Sequence, residues 1–238
     1  MPPLSVIMPA YNEAASIADA IDEVIGCILP VVTEAELIVV DDGSTDDTAA
    51  LVEARLKELP ALKLIKQRNS GHGAALIAGI EQSTGDALLL VDSDQQVSLA
   101  DFREHWNRFQ QTGCNAVLGI RKPRKDPNHR LFITTAMKLL ILAVYGRTPQ
   151  DAGVPYKIVN RSDWQEASRY IPDKSWIPSV LLAIFLVVRH GKSVLEIPVR
   201  HTTRPHGQSS LNLSRLLRFC FTATGEVVRF RQKLGIGK

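Results

Sequence analysis

The 238-residue sequence predicts an α/β fold with a mainly parallel sheet flanked by helices. Short apolar runs recur along the first 120 residues, and stretches of helical periodicity separate them. Apolar strands that alternate with helices of this length are typical of βαβ units. Polar residues follow several of the apolar runs directly. Because such sheets bind ligands beyond the carboxyl ends of their strands, these polar residues are the first candidates for a site.

The predicted strands are runs of four to six residues rich in Val, Ile and Leu. They cover residues 4–8, 37–40, 62–65, 87–91, 116–120, 156–159 and 194–199. The predicted helices show apolar residues three or four positions apart. The first carries Ile17, Ile21, Val24 and Ile25, with Asn12 as its N-cap, and the next span about 45–59 and 73–82. A fourth carries apolar residues from 99 to 109, and others span about 129–145, 161–170 and 179–189.

Length and composition are those of one substantial globular domain, with 45% hydrophobic and 22% charged residues. The three widely spaced cysteines, Cys27, Cys114 and Cys220, form neither a disulfide framework nor a zinc motif, which favours a reducing compartment. The amino terminus enters a strand without a signal-peptide pattern. The apolar run 177–188 is shorter than the roughly 20 residues that span a bilayer, so integral membrane insertion is not expected.

The charge is distributed unevenly along the chain. Residues 189–238 carry a net charge of +8, whereas residues 1–188 carry −5. A basic tail indicates an anionic partner, either a nucleic acid or a membrane surface. Beyond three Phe residues the tail has no aromatic platform for bases, so we do not expect nucleic-acid binding.

The tail also has the pattern of an amphipathic helix. Apolar positions fall on one side, namely Leu213, Leu216, Leu217, Cys220, Val227, Val228 and Leu234. Basic positions fall on the other, namely Arg215, Arg218, Arg229 and Lys233. Such a helix either lies in a membrane interface or packs its apolar side on the domain, and the sequence leaves both readings open.

Two acidic clusters end predicted strands. Asp92 and Asp94, in Asp-Ser-Asp-Gln, follow the apolar run 87–91, and Asp41 and Asp42 follow the run 37–40. Paired carboxylates form a hard-oxygen site suited to a divalent cation on a diphosphate. A carboxylate can also accept a hydrogen bond from a nucleobase or a ribose, so we predict nucleotide binding rather than two simple turns.

The remaining motifs are each weaker evidence for a functional site. A Gly-rich helix start at Gly71 and Gly73, beside Arg68, would suit a phosphate, although a purely structural turn is an equal reading. The third glycine of a dinucleotide fingerprint is replaced by Leu76, which disfavours a dehydrogenase. The histidines, His72 among them, show no metal-ligand spacing and are interpreted as surface or loop residues.

Taken together, seven segments in order resemble the family 2 glycosyltransferases with the GT-A fold. Within that family the likeness is greatest to the polyprenyl-phosphate (dolichyl-phosphate) mannose and glucose synthases. The matching segments are residues 9–13, 41–48, 69–79, 92–96, 119–121, 151–153 and 201–210. Two departures stand out: Gln95 replaces a common Gly or Leu, and Val154-Pro155-Tyr156 replaces a Cys-Gly-Phe-like stretch.

The resemblance implies roles for particular residues. It implies that Asp92, Asp94 and Gln96 hold Mg²⁺ or Mn²⁺ on the diphosphate of a sugar nucleotide. The set expected to bind the nucleotide sugar is Pro9, Tyr11, Glu13, Asp41, Asp42, Arg68, Gly73, Asp92 and Ser93. The set expected at an acceptor phosphate is Arg121, Arg130, Arg204, Ser209 and Ser210, and the catalytic set is Asp94, Asp151, Arg121 and Arg204.

We therefore predict an inverting, metal-dependent enzyme that transfers a hexose from a UDP- or GDP-sugar to a polyprenyl phosphate. A glycosyltransferase domain would cover residues 1–210, with a nucleotide-sugar half to residue 120 and an acceptor half after it. Residues 211–238 would form the basic amphipathic helix, peripherally associated with the cytoplasmic membrane face. A family 2 enzyme acting on a saccharide or protein hydroxyl, with Asp151 as base, is the alternative. A non-catalytic nucleotide-binding regulator is a weaker one.

Overall fold

The computed structural model confirms the α/β class and describes residues 3–123, 128–202 and 213–235, without the side chains of residues 128–130, 132 and 213–217. The strands are β1 (Leu4–Ala10), β2 (Ala35–Asp41), β3 (Leu62–Lys66), β4 (Ala87–Val91), β5 (Ala116–Arg121), β6 (Tyr156–Asn160) and β7 (Val194–Val199). The helices are α1 (Ile17–Cys27), α2 (Thr48–Leu56), α3 (His72–Glu81), α4 (Phe102–Thr112), α5 (Asn128–Tyr145), α6 (Arg161–Ser168), α7 (Pro178–His190) and α8 (Leu213–Leu234).

The seven strands form one sheet in the order β3-β2-β1-β4-β6-β5-β7. All neighbouring pairs are parallel except those of β6, which runs antiparallel to both β4 and β5. The carboxyl ends of the parallel strands therefore meet at one edge. Because β6 is reversed, its first residue, Tyr156, lies at that same edge opposite Val91.

Helices cover both faces of the sheet. On one face, apolar residues of α1, α2 and α4 pack on the sheet, including Ile21, Val52 and Trp106. On the other face lie α3, α5, α6, α7 and α8, with Leu181 and Phe185 of α7 fully or nearly fully buried. Strands buried on both faces read as continuous apolar runs, which is why β1 and β4 were recognisable in the sequence.

The starts of two helices differ from the predictions. Asn12 is not the N-cap of α1, which begins at Ile17 after Ser16. Asn12 instead has a φ of 53°, and its Oδ1 accepts a hydrogen bond from the Thr45 backbone N–H at 2.8 Å. Helix α2 begins only at Thr48, because Asp46 Oδ1 accepts the Thr48 N–H at 3.0 Å and holds the preceding residues in a turn. The two loops are thereby tied together at the carboxyl edge.

Glu36 ties together the edge of the sheet opposite the candidate site. Its carboxylate accepts hydrogen bonds from Ser5 Oγ at 2.6 Å, from Thr84 N at 2.6 Å and from Lys63 Nζ at 2.6 Å. Burial alone would raise the pKa of Glu36, but these donors outweigh it and lower the pKa to about 2. A carboxyl group whose pKa is lowered on folding stabilises the folded state at pH values above its unfolded pKa of 4.5. This stabilisation is lost as the pH falls toward 2.

We expect Glu36→Gln to lower the free energy of unfolding at pH 7, and the deficit relative to wild type to shrink as pH falls from 5 to 3. Urea unfolding across that range measures it. Glu34→Gln, at an exposed neighbour, is the matched control and should show no such deficit. A Glu36→Gln deficit that stayed constant with pH would contradict the assignment.

Among the described residues, none of the helices is both long enough and apolar enough to cross a membrane.

Candidate active site

The carboxyl edge of the sheet brings the two predicted acidic clusters together. β1 lies between β2 and β4, and its residue Ala10 is in register with Asp41. Asp92 directly follows β4 on the other side of β1. Both acids thus stand at the carboxyl edge, as the sequence predicted, and the structure adds that their strands flank one central strand.

Within each cluster one side chain is tied into the protein. Asp42 is 3% exposed, and its carboxylate accepts hydrogen bonds from Gln67 Nε2, Ser70 N and Gly71 N at 2.7–2.8 Å. Ser93 is also buried, and its Oγ donates to the Pro9 carbonyl at 3.0 Å. Through these contacts Asp42 and Ser93 shape the loops. The sequence predicted both as nucleotide-sugar contacts and did not distinguish that role from a structural one.

Asp41 is buried at 4% exposure and accepts a hydrogen bond from Ser44 N at 3.2 Å. Tyr11, in the loop after β1, is 42% exposed. Two residues later, the Glu13 carboxylate accepts a hydrogen bond from Ser16 Oγ at 2.9 Å. The Glu13 backbone N–H donates to Thr48 Oγ1 at 2.8 Å. The loops after β1 and β2 therefore form one joined wall at the site.

The turn that carries Asp94 has a strained backbone. Gln95 has a φ of 54°, in the left-handed region that disfavours residues other than Gly. Asp94 Oδ1 accepts the Gln96 N–H at 3.0 Å, which closes the turn. The Gln96 carbonyl in turn accepts the Thr202 N–H at 2.9 Å. The segment leading into the predicted acceptor loop is thus fixed beside the acidic pair.

His72 is exposed, as its interpretation as a surface or loop residue implied, but it also contacts the acidic pair, which the sequence did not predict. Its Nε2 lies 2.9 Å from Asp92 Oδ1. Desolvation opposes the charged form of His72, but the charge and hydrogen bond of Asp92 raise its pKa above the ordinary value. Desolvation likewise opposes ionisation of Asp92, but His72, followed by Lys157 and Arg121, lowers the pKa of Asp92. Asp92 is therefore held as a carboxylate that already attracts a positive group.

Arg121 and Asp151 form a buried ion pair. Arg121 Nε lies 2.8 Å from Asp151 Oδ2, and Nη2 lies 2.8 Å from Oδ1, so both carboxylate oxygens are engaged. The side chains are only 11% and 5% exposed. The sequence singled out both residues but did not predict that they pair. A carboxylate held by a guanidinium in this way is a poor proton acceptor.

Lys157 is a functional candidate that sequence reasoning missed. It is fully buried as the second residue of β6, and its Nζ donates to the Val154 carbonyl. Burial lowers the pKa of Lys157 to about 8, although Asp151 and Asp92 act to raise it. The available signal was a lysine inside the apolar strand 156–159, where a charge is costly without acidic neighbours. Lys157 anchors the segment before β6 and adds positive charge behind both acids.

Gly73 fits tightly where α3 begins. A Cβ at this position would lie 2.1 Å from the Ser175 carbonyl oxygen and 2.8 Å from Pro178 Cδ. We expect Gly73→Ala to lower the free energy of unfolding by ~1–3 kcal/mol through overpacking, measured by urea denaturation. Gly26→Ala is the matched control, because a Cβ there meets nothing within 4 Å. Gly73 therefore acts through packing of the helix that carries His72.

A cavity of about 590 Å³ opens beside the acidic pair. Its polar end contains His72, Asp92, Arg121 and Asp151. The remaining walls are more apolar than polar and come from α3, α5, α8, the loop 148–155 and the start of α7. Their apolar side chains include Leu76, Ile133, Met137, Ile141, Ile177, Val180 and Phe219, and Lys138 is the charged one. The arrangement suits a ligand with an anionic head and an apolar body.

Several predicted residues are not placed at this cavity. The predicted acceptor residues Arg204, Ser209 and Ser210 lie outside the described residues. Arg130 lies in the first turn of α5, and its side chain is outside the description as well. Arg68 is exposed in the loop after β3.

The donor set fits a hard divalent cation only in part. Asp92 and Asp94 offer carboxylate oxygens on one turn, and Asp92 already attracts the His72 imidazole. Within the three described stretches, no three His, Cys, Asp or Glu side chains converge into a set that would hold a metal by themselves. A cation at this turn would therefore need oxygens from a diphosphate to complete its coordination.

Comparison with known proteins identifies the family. The family model described as glycosyl transferase family 2 matches residues 5–178. The chain belongs to this family. As a family 2 protein it carries its acidic pair at the end of β4, inside the matched region.

The names of two curated relatives describe enzymes that act on polyprenyl phosphates. The undecaprenyl-phosphate 4-deoxy-4-formamido-L-arabinose transferase of Pseudomonas aeruginosa is 31% identical over 220 residues, which cover 92% of this chain. The dodecaprenyl-phosphate galacturonate synthase of Rhizobium johnstonii is 31% identical over 226 residues, which cover 90% of this chain. The chain spans 63% of the length of each relative.

A solved structure confirms the GT-A fold. Glucosyl-3-phosphoglycerate synthase from Mycobacterium tuberculosis, crystallised with Mn²⁺, UDP and glucosyl-3-phosphoglycerate, superposes with a TM-score of 0.74. The superposition covers 100% of this chain and 81% of that one, at 20% sequence identity. At this identity the likeness establishes the fold.

Helix α8 packs its apolar side on the domain. Ala223, Val227 and Phe230 are buried in the core layer on that face of the sheet. Of the two readings of the tail, packing is confirmed for the described part of the helix. Val228, predicted on the same apolar side, is instead 39% exposed. The side chains of Leu213, Leu216 and Leu217, predicted on the same apolar side, lie outside the described part of the helix.

Proposed function

We propose that this family 2 protein transfers a hexose from a UDP- or GDP-sugar to a polyprenyl phosphate at a membrane surface. The observation that carries the proposal is the cavity that joins Asp92, Arg121 and Asp151 to apolar walls from four helices. A lipid phosphate has the matching chemistry, an anionic head on an apolar chain. The names of the two relatives support the same acceptor class.

In the proposed reaction an oxygen of the acceptor phosphate attacks the anomeric carbon of the sugar. The bond from that carbon to the diphosphate breaks, its electron pair leaves with the nucleoside diphosphate, and the configuration inverts. Asp92 and Asp94, with Gln96 beside them, would hold Mg²⁺ or Mn²⁺, which stabilises the negative charge that develops on the leaving group. Asp41, Tyr11 and Glu13 would line the nucleotide pocket.

The pairing of Asp151 favours a phosphate acceptor over a hydroxyl. A hydroxyl acceptor needs a general base, and Asp151 was the candidate for it. Both of its oxygens face Arg121. A phosphate monoester is already ionised near neutral pH, with a second pKa of about 6, and needs no base. Arg121 and Asp151 would thus position the acceptor head, with Arg130, Arg204, Ser209 and Ser210 as further proposed contacts.

Two features support work at the cytoplasmic membrane face, with peripheral attachment. The odd number and wide spacing of the cysteines favour a reducing compartment. Exposed apolar side chains on α8, Phe221 and Val228, offer contacts for a lipid surface.

The test is transfer by the purified protein with Mg²⁺ or Mn²⁺, a panel of UDP- and GDP-sugars, and either a short polyprenyl phosphate or a soluble saccharide. Product should form only with the lipid phosphate. A matched pair of α5 variants locates the acceptor: Met137 lines the cavity, whereas Leu139 is 60% exposed. Met137→Ser should raise the lipid KM about tenfold, and Leu139→Ser should not. Transfer only to saccharide hydroxyls would overturn the lipid assignment.

A further inference from the structure

A second cavity, of about 320 Å³, lies outside the candidate active site. It is bounded by α8 and by the segment between α6 and α7, which contributes Tyr170, Lys174 and Trp176. Helix α8 contributes Arg229, Phe230 and Lys233. Three cationic side chains and three aromatic ones therefore surround one small space.

The acid in this lining is already engaged. Glu226 is 7% exposed, and it accepts hydrogen bonds from Ser175 Oγ at 2.5 Å and Trp176 N at 2.9 Å. Within the described ranges, neither Lys174, Arg229 nor Lys233 forms an ion pair with an acid. With Glu226 counted, the lining carries a net charge of +2. Such a cavity is complementary to an anion, and Lys and Arg side chains are the usual ligands of phosphate.

The cavity has an exposed aromatic rim at Trp176, whose side chain is 43% exposed. Phe221, elsewhere on α8, is 84% exposed. Arg218 lies over the Trp176 ring, 6.0 Å from its centroid. Tryptophan beside cationic side chains is typical of the interfacial layer of a bilayer, where apolar and charged groups meet. The rim thus favours a phosphate that belongs to a lipid.

Trp176 also lines the larger cavity beside Asp92. One side chain therefore separates the proposed acceptor site from the cationic cavity. A lipid headgroup in the cationic cavity would hold the bilayer next to the entrance of the acceptor site.

We propose that the cavity between α8 and the 170–176 segment binds the phosphate headgroup of an anionic phospholipid that is not a substrate. Lys174, Arg229 and Lys233 would contact the phosphate, and Trp176 and Phe221 would enter the interfacial layer. The inference rests on the proposed function in one respect, since a lipid acceptor places the protein at a bilayer. The cavity itself takes no part in the transfer.

The test is co-sedimentation of the full chain with phosphatidylcholine vesicles, with and without phosphatidylglycerol, in the absence of donor, metal and polyprenyl phosphate. The triple variant Lys174→Gln, Arg229→Gln, Lys233→Gln should lose about 100-fold in affinity for the anionic vesicles. The matched control replaces three exposed cations elsewhere, Lys57→Gln, Arg103→Gln and Lys192→Gln. It has the same net charge and should lose less than threefold. Equal losses in the two triple variants would overturn the proposal.

Two further readouts separate the possible outcomes. Brominated lipids should quench the fluorescence of Trp176 in wild type, and Trp176→Phe should abolish that quenching, because Trp106 and Trp164 are buried. If inorganic phosphate binds in the cavity but the protein shows no preference for anionic vesicles, the ligand is free phosphate and not a lipid headgroup. That result would refute the proposal. Turnover in detergent should be unchanged in the cationic-cavity triple variant. If wild type shows no turnover at all, the proposed function fails while the vesicle result still stands.

Discussion

Asp94→Asn should lower kcat/KM for sugar transfer by about 10³-fold, because several kcal/mol of charge stabilisation on the leaving diphosphate would be lost. Asp92→Asn should have a comparable effect, since both carboxylates lie on the turn that closes at Gln96. The fold should survive either change, because the aspartate and asparagine side chains have nearly the same shape. Initial rates at saturating and limiting donor measure the loss.

The control for this prediction lies at the other end of the same strand. Asp86 is exposed just before β4, so Asp86→Asn changes the same charge away from the site. Mn²⁺ binding followed by electron paramagnetic resonance in the presence of UDP gives a readout independent of turnover. Full turnover or unchanged Mn²⁺ binding in Asp94→Asn would refute the metal assignment.

Asp151→Ala should lower the free energy of unfolding by ~3–5 kcal/mol, because it removes the carboxylate that engages the buried Arg121 guanidinium through two hydrogen bonds. Transfer should also fall, since Arg121 would no longer be held at the polar end of the cavity. The double variant Arg121→Met, Asp151→Leu should recover much of the stability but none of the transfer. Thermal and urea denaturation, together with the transfer assay, separate the two effects.

An exposed ion pair provides the comparison. Arg55 and Asp22 lie 2.9 Å apart with side chains 34% and 50% exposed. Asp22→Ala should cost less than ~1 kcal/mol because solvent screens such a pair. If Asp151→Ala were equally mild, the buried pair would not be the structural element inferred here. If Asp151→Asn kept transfer to a lipid phosphate, that result would support positioning rather than proton abstraction.

The sequence predicted the parts of the site that depend on strand ends. Asp41 and Asp92 were found because continuous apolar runs identify buried strands, and residues after such strands meet at one edge. The parallel strand β7 was likewise recognised with its observed bounds. The element starts at Asn12 and Thr45 were wrong, because side-chain contacts between two loops determine them and local propensity does not.

The remaining errors have a common physical origin. The His72–Asp92 contact and the Arg121–Asp151 pair join residues 20 and 30 positions apart, and no local pattern encodes such pairing. Lys157 was overlooked because a charge inside an apolar strand has meaning only when its neighbours in space are known. The reversal of β6 was also missed, since an apolar run reads the same in either direction.

That reversal attaches the two halves of the proposed site to the sheet in different ways. The strands that present Asp41 and Asp92 are paired through β1, and their register does not depend on the residues that precede β6. The loop of residues 146–155, which carries Asp151, connects α5 to the start of β6 at this same edge. Under the proposed function, changes of length or sequence in this loop would exchange one acceptor for another while the donor half stays intact. We propose in this sense a modular fold, in which the sheet recognises the donor and this loop selects the acceptor.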